Sequence, residues 1–272
     1  MTKRLYHYTS AQSLLYILEG GSIWSSKIQY MNDSKEFSHA IDIANRYISR
    51  YKTKNSDKVS SNIGNKISEI LERISNMNIF VACFSEVPDS LGQWRGYCPP
   101  SLGYCIGFNS EELEAQAMEQ GFLLHRCIYD VAEKERVVSH WVTALIKTLS
   151  KAYTSEQDLE AFFWQHGRAY VDEFIGIASV MKHEAFSDEK EWRLISMVSS
   201  DNQRMGLRVG KSMLIPYVPI ALNYSKDKCL LWSLTVGPTP QIDQAMSSAS
   251  MLVRNAWFEN GITRSMIPFR DW

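Results

Sequence analysis

Two short runs of apolar residues constrain what this chain can fold into. Residues 79–84 (IFVACF) and residues 104–108 (YCIGF) carry apolar or small side chains at every position. A strand in the middle of a sheet is covered on both faces and therefore shows a continuous apolar run, whereas a buried helix needs a longer one. The two runs predict central strands of a buried sheet, around which the other elements pack.

Helical and extended patterns flank these strands. Apolar residues at steps of three and four predict helices at 10–18, 33–52, 63–77, 111–120 and 241–259, and two long helices across 134–182. Further strands are predicted at 4–8, 125–129, 191–198, 206–209, 213–217, 230–236 and 264–269, and a loop rich in turn formers at 87–103. These elements predict a single α+β domain over residues 1–272, with a helical insertion at about 134–182.

Composition excludes several classes of protein. The 29 basic and 30 acidic residues give a formal net charge of -1, so no overall field attracts nucleic acid or an anionic membrane. Apolar runs are far shorter than the roughly 20 residues of a spanning helix, so we expect a cytoplasmic protein without a membrane partner. The 5 cysteines are odd in number and form no CxxC pair, which argues against a disulfide framework. Without HExxH or another ligand spacing, no metal is expected.

Residues 189–193 (EKEWR) place two carboxylates just before a predicted strand. Because side chains alternate along a strand, Glu189, Glu191 and Arg193 share one face, opposite Trp192. A carboxylate at the mouth of a sheet can bind a hydroxyl or stabilise a developing positive charge, as chemistry on a sugar requires. The structural alternative is an ion pair between Glu191 and Arg193. Both interpretations stay open.

Two other clusters have polar or aromatic side chains suited to a ligand. Residues 6–10 (YHYTS) place His7 and a hydroxyl where the first strand meets its helix, although a buried structural histidine fits equally well. In the loop that follows the strand at 79–84, Trp94, Arg95 and Tyr97 offer a stacking surface for a planar ring. The alternative is that Trp94 and Tyr97 only anchor this loop to the core.

The chain resembles a bacterial family of uncharacterised domains that are often associated with mobile elements and defence loci. The shared pattern extends over nearly the whole chain. It comprises LYHYT at 5–9, NDxxE at 32–36, FS at 84–85, QWRGY at 93–97, GYxIGF at 103–108, KHxxF at 182–186, ExEWR at 189–193 and VGP at 236–238. The order of His7, a tyrosine and Glu191 is in addition similar to the His, Tyr, Glu order of diphtheria-toxin-like and poly-ADP-ribose-polymerase-like ADP-ribosyltransferases.

This second resemblance implies a split, mostly antiparallel sheet with a helical layer, and an enzyme that takes NAD as its substrate. Such an enzyme transfers ADP-ribose to a protein or nucleic acid or hydrolyses NAD, here as a toxin or phage-defence effector. The implied catalytic residues are His7 on one ribose, Glu191 on the other, and Tyr97 against nicotinamide. The implied nucleotide-binding residues are Tyr8, Thr9, Ser85, Trp94, Arg95, Tyr104 and Glu189.

The resemblance also implies roles for single residues and shows where this chain departs from the usual pattern. Thr9 is expected at the carboxamide and Arg95 at the diphosphate, and Tyr104 is the alternative to Tyr97 as the ring that stacks on nicotinamide. Tyr8 stands where these enzymes usually have glycine after the histidine. The Glu189 and Glu191 spacing is similar to the arginine-modifying branch, in which two glutamates divide acceptor activation and ribose binding.

Two functions of other classes are also open. One is a non-catalytic sensor of a nucleotide or nucleic acid, which uses Trp94, Arg95 and Tyr97 as a stacking platform. The other is a metal-independent nuclease that uses His7, Arg95 and Glu191.

Overall fold

The structure is a computed structural model that describes residues 3–31, 34–99, 102–198, 203–210, 212–225, 228–253 and 256–268. Its strands are β1 (Arg4–Ser10), β2 (Ser22–Lys27), β3 (Ile79–Ser85), β4 (Gly103–Asn109), β5 (Leu123–Arg126), β6 (Glu191–Met197), β7 (Gly206–Val209), β8 (Leu214–Ala221), β9 (Leu231–Val236) and β10 (Ile262–Arg264). Its α-helices are α1 (Ala11–Gly20), α2 (Ser34–Lys54), α3 (Lys58–Ser75), α4 (Leu91–Tyr97), α5 (Ser110–Met118), α6 (Val131–Ala152), α7 (Glu156–Ser179) and α8 (Ile242–Leu252).

The strands form one mixed sheet in which most pairs are antiparallel, so the predicted α+β class is confirmed. The order along the main path is β10-β9-β4-β1-β3-β2-β8-β7, and β5 and β6 branch from it through β3. Of the pairs between these strands, β9 with β10 is parallel. No helix in the described ranges is long and apolar enough to cross a lipid bilayer.

Strand β3 is the branch point of the sheet. One edge of β3 pairs with β6 along its whole length, from Ile79↔Met197 to Ser85↔Glu191. The other edge is shared, because β1 meets it at Tyr6↔Ser85 and β2 meets it at Ser26↔Val81 and Lys27↔Phe80. The sheet therefore forks beside the middle of β3, between β1 and β2.

Both faces of β3 are buried, which explains its continuous apolar run. Ile79 and Val81 point into a core formed with α2, α3, α6 and α7, whereas Phe80 and Phe84 point into a second core with α1, α5 and α8. Trp141 on α6 contributes to the first core. Burying apolar surface stabilises a fold by about 25 cal/mol per Å². This burial on both faces of β3 is the main force that holds the two layers to the sheet.

Several boundaries differ from the sequence prediction. The helix predicted at 63–77 begins at Lys58, because the Asp57 side chain caps it by accepting from the Ser60 amide. Residues 87–103, predicted as a loop, contain α4. The strand predicted at 125–129 lies at Leu123–Arg126, the helix predicted at 241–259 ends at Leu252, and the last strand lies at Ile262–Arg264 rather than 264–269.

Truncating a buried aliphatic side chain in the helical core should destabilise the protein strongly. Ile67 on α3 is fully buried, so we expect Ile67→Ala to lower the free energy of unfolding by about 2–5 kcal/mol. Val59 lies exposed on the same helix, and Val59→Ala should change that free energy by less than about 0.5 kcal/mol. Urea unfolding of both variants measures the difference. Equal effects would contradict the packing of α3 described above.

Candidate functional site

A narrow cavity opens beside the fork of the sheet. Its volume is about 50 Å³, room for roughly one or two water-sized groups. The residues that line it are Tyr6, His7, Tyr8, Cys83, Phe84, Gln93, Tyr97, Glu189 and Glu191. The structure thus brings together His7, Tyr97 and Glu191, which come from β1, α4 and β6.

His7 bridges the gap between β1 and β3. Its Nδ1 lies 2.9 Å from the backbone carbonyl of Cys83. Because a carbonyl oxygen only accepts, Nδ1 carries the proton and Nε2 of the neutral ring is an acceptor. Burial lowers the pKa of His7, and the bond to the Cys83 carbonyl opposes this effect only in part. Nε2 makes no hydrogen bond with any residue that the structure describes.

Glu191 begins β6 and is only 3% exposed. Its Oε1 accepts from Arg193 Nε at 2.8 Å, and its Oε2 accepts from Lys182 Nζ at 2.5 Å and from Arg193 Nη2 at 3.3 Å. Burial alone would raise the pKa of Glu191, but the charges of Arg193 and Lys182 outweigh it and hold the pKa at about 2. The carboxylate is therefore ionised at neutral pH.

Arg193 and Lys182 are themselves buried and connect the helical layer to the sheet. Arg193 Nη1 donates to the carbonyl of Ser179, the last residue of α7, at 2.8 Å. Lys182 Nζ also donates to Glu189 Oε2 at 2.7 Å. The ion pair offered by the sequence as the structural alternative is present, and Lys182 is a second cation in it. We call Lys182, Glu189, Glu191 and Arg193 the ion cluster.

Glu189 differs from Glu191 in what it presents to the cavity. Its Oε2 accepts from Tyr97 Oη at 3.0 Å as well as from Lys182. Its Oε1 has no hydrogen bond or ion pair within the described ranges, and the side chain lines the cavity. Ser85 holds the backbone here, since its Oγ donates to the Glu189 carbonyl at 2.6 Å. Glu189 is thus the carboxylate with an oxygen open to a ligand.

The short helix α4 supplies the opposite wall. Gln93 and Tyr97 are four residues apart on α4 and share one of its faces. Tyr97 is 41% exposed. Partial burial of its hydroxyl group is the main cause of its raised pKa, and nearby Cys83 and Glu191 raise it further. Its hydroxyl therefore remains a proton donor. In the sequence, Gln93 belongs only to the QWRGY motif. Its spacing of four residues from Tyr97, which puts both on one helix face, is the feature that could have identified it as a cavity residue.

Tyr8 and Trp94 anchor the segment that leads to α4. Tyr8 Oη donates to the Val87 carbonyl at 2.7 Å and accepts from the Ser90 amide at 3.1 Å. The rings of Tyr8 and Trp94 meet edge to face, with their centroids 4.7 Å apart. Trp94 Nε1 donates to Asp89 Oδ1 at 2.7 Å. Trp94 is buried, so the structure shows the anchoring alternative and not an open stacking platform at this position.

Three other predicted residues lie apart from this cavity. Thr9 is buried on β1 opposite Tyr104. Tyr104 lines a second cavity of about 410 Å³ beside α8, so Tyr97 is the tyrosine that accompanies His7 and Glu191. Arg95 is exposed and is not among the residues that line the first cavity, which separates it from His7 and Glu191. The side chains of residues 32–36, the predicted NDxxE motif, lie outside the described part of the chain.

A comparison with protein families matched part of the chain. Residues 93–194 match the model of a family described as "Protein of unknown function (DUF2971)". This segment is similar to an uncharacterised family. It includes Gln93, Tyr97 and the whole ion cluster, whereas His7 lies outside it. Comparisons with curated proteins and with solved structures found no match. The expected resemblance to a family of uncharacterised domains is supported for this segment.

Removing the charge of Glu191 should destabilise the protein in a pH-dependent way. The pKa of Glu191 is about 2 when folded, below the roughly 4.3 of an unperturbed glutamate, so its stabilising contribution is complete above about pH 5 and is lost as the pH falls towards 2. We expect Glu191→Gln to lower the free energy of unfolding by about 3–5 kcal/mol at pH 7, because two buried cations lose a partner.

The measurement is urea unfolding of both proteins between pH 7 and pH 2, where the difference between wild type and Glu191→Gln should narrow as the pH falls below 5. Glu72→Gln, an exposed carboxylate on α3, is the control and should show little difference at any pH. A gap that stays constant down to pH 2 would show that Glu191 is not held as an ion by its neighbours.

Proposed function

We propose that this cavity receives the nicotinamide end of NAD and that the protein is an ADP-ribosyltransferase-like enzyme, which modifies a macromolecule or hydrolyses NAD. The observation that supports the proposal is the position of His7, Tyr97 and Glu191 on one cavity, although they are far apart in the chain. Their order is the one that the resemblance to His, Tyr, Glu enzymes implies.

The chemistry requires an anion beside the ribose. When the bond between ribose and nicotinamide breaks, its electron pair leaves with nicotinamide and positive charge develops on the sugar. Glu191 is ionised in place and lines the cavity, and Arg193, Lys182 and the thiol of Cys83 donate to its carboxylate. A hydroxyl is a stronger donor than a thiol, so a ribose hydroxyl can replace Cys83 at this carboxylate. The carboxylate needs no reorganisation as the charge develops.

Glu189 is suited to the second half of the reaction. A water molecule or an acceptor group adds to the ribose carbon and loses a proton. The open Oε1 of Glu189 takes that proton as a general base. Lys182 donates to both glutamates and therefore holds the two carboxylates at a fixed separation. These roles resemble those in the arginine-modifying branch, in which one glutamate activates the acceptor and the other binds the ribose.

NAD is larger than the cavity in this conformation. Pockets for ligands of drug size occupy about 300–1,000 Å³, against about 50 Å³ here. The proposal therefore requires α4 to move away from β6 when NAD binds. That motion breaks the hydrogen bond from Tyr97 Oη to Glu189 Oε2, which is the one side-chain hydrogen bond from α4 to the ion cluster among the described residues. Tyr97 is then placed to stack on the nicotinamide ring.

Release of nicotinamide from NAD tests this function, both with water alone and with protein or nucleic acid added as acceptor. We expect Glu189→Gln to slow release by about 10²-fold or more, since it removes a general base. Tyr97→Ala should also slow it, because it removes the ring that stacks on nicotinamide, whereas Tyr104→Phe, in the second cavity, should stay within about twofold.

A wild-type protein that neither binds NAD nor releases nicotinamide would overturn the proposal, as would unaltered rates in both Glu189→Gln and Glu191→Gln. NAD binding without nicotinamide release under any condition would instead favour a nucleotide sensor.

A further inference from the structure

Gln93 is a polar side chain on the wall of the cavity. It is 6% exposed and lines the cavity, and its side-chain amide makes no hydrogen bond with another residue in the described ranges. Among the described residues, the fully buried side-chain atoms without a partner are Arg4 Nη1 and Ser179 Oγ, so the amide atoms of Gln93 are open to the cavity. An amide that faces a cavity without a protein partner is available to donate to and accept from a ligand there.

Another buried glutamine in the same chain shows the ordinary arrangement. Gln116 on α5 is 8% exposed. Its amide nitrogen donates to Glu112 Oε1 at 2.8 Å and to the Asn223 carbonyl at 2.9 Å, and its amide oxygen accepts from the Asn223 amide at 2.8 Å. Gln116 thus has a structural role that its contacts explain. Gln93 has no such contacts, and structure alone gives no reason for an amide at that position.

The other open groups on the cavity restrict the chemistry of the ligand. His7 Nε2 and Glu189 Oε1 both accept hydrogen bonds and have no partner among the described residues. Gln93 offers an N–H donor and a carbonyl acceptor. The complementary ligand group therefore has more than one N–H donor and one acceptor, which describes a primary carboxamide. Its oxygen accepts from Gln93, and its two N–H bonds point to Gln93 Oε1 and to one of the other acceptors.

We propose that Gln93 recognises the carboxamide of nicotinamide and makes the site selective for NAD over its carboxylate counterpart, nicotinic acid adenine dinucleotide. This inference rests on the proposed function, since it assigns a residue to the nicotinamide end of NAD. A carboxylate at that place has no donor for Gln93 Oε1, His7 or Glu189, and its charge is repelled by Glu189.

The dimensions of the cavity agree with this placement. Before α4 moves, a volume of about 50 Å³ admits a group as small as a carboxamide but not a whole pyridine ring. The ring takes the space that opens when α4 moves, beside the partly exposed Tyr97, which is one helical turn from Gln93. Gln93 and Tyr97 thus contact two parts of the same planar ligand from one face of α4.

Calorimetric titration of wild type and Gln93→Met with NAD and with nicotinic acid adenine dinucleotide tests the inference, because methionine has a similar volume and no hydrogen-bonding group. We expect wild type to bind NAD at least about tenfold more tightly than the carboxylate form. Gln93→Met should weaken NAD binding by about tenfold and the carboxylate form by less than about threefold. The preference then nearly disappears.

Thermal unfolding separates recognition from a structural role. Gln93→Met should melt within about 1 °C of wild type, because the Gln93 amide makes no hydrogen bond to another described residue, whereas Gln116→Met should melt at least about 2 °C lower. If Gln93→Met keeps the full preference for NAD, or melts as far below wild type as Gln116→Met, this inference is wrong while the proposed function stands. If wild type binds neither dinucleotide, the proposed function fails and the inference fails with it.

Discussion

The ion cluster is the interaction on which the rest of the site depends. Arg193 and Lys182 keep Glu191 ionised in a place where burial alone would favour its neutral form. The same groups fix the backbone, since Arg193 binds the carbonyl that ends α7 and the Lys182 amide donates to the Ile128 carbonyl at 3.0 Å. The cluster therefore lies where the helical layer meets the sheet and sets the position of the carboxylates on the cavity.

The fork in the sheet determines the chemistry of His7. Because β1 and β2 share one edge of β3, the middle of that edge has a backbone carbonyl at Cys83 that a side chain satisfies. His7 donates to that carbonyl through Nδ1, which leaves Nε2 as an acceptor on the cavity. A feature of topology thus fixes the tautomer of a candidate functional residue. Loss of the fork would remove both the cavity and the reason for that tautomer.

The sequence predicts the parts of this fold that local patterns encode. The runs at β3 and β4 are continuous because both faces are buried, and the caps and periodicity of the long helices are local as well. Helix α4 has no such signal, since Gly92 and Gly96 disfavour a helix and burial of Trp94 against Tyr8 stabilises it. Tertiary packing therefore decides this element, and with it the position of Gln93.

The candidate site likewise has features that local sequence predicts and features that depend on tertiary contacts. His7, Tyr97 and Glu191 were expected from their residue types and order, and the cavity brings them together. Two of its features depend on contacts between distant segments. Lys182 reaches both glutamates from the end of the helical layer, and Glu189 is the carboxylate with an open oxygen. The sequence predicts Glu189 and Glu191 on one face of a strand, but β6 begins at Glu191 and Glu189 ends a 3-10 turn, Glu184–Glu189, so alternation could not assign their partners.

The most direct test of the central claim is the nitrogen-15 spectrum of labelled histidine during titration with a non-hydrolysable NAD analogue. The chain has 6 histidines, and in the folded protein at pH 7.5 His7 should give the signals of a neutral ring with a protonated Nδ1. We predict that the analogue shifts the Nε2 signal of His7 and leaves the other histidines nearly unchanged. An unaltered His7 signal at saturating analogue would contradict the account.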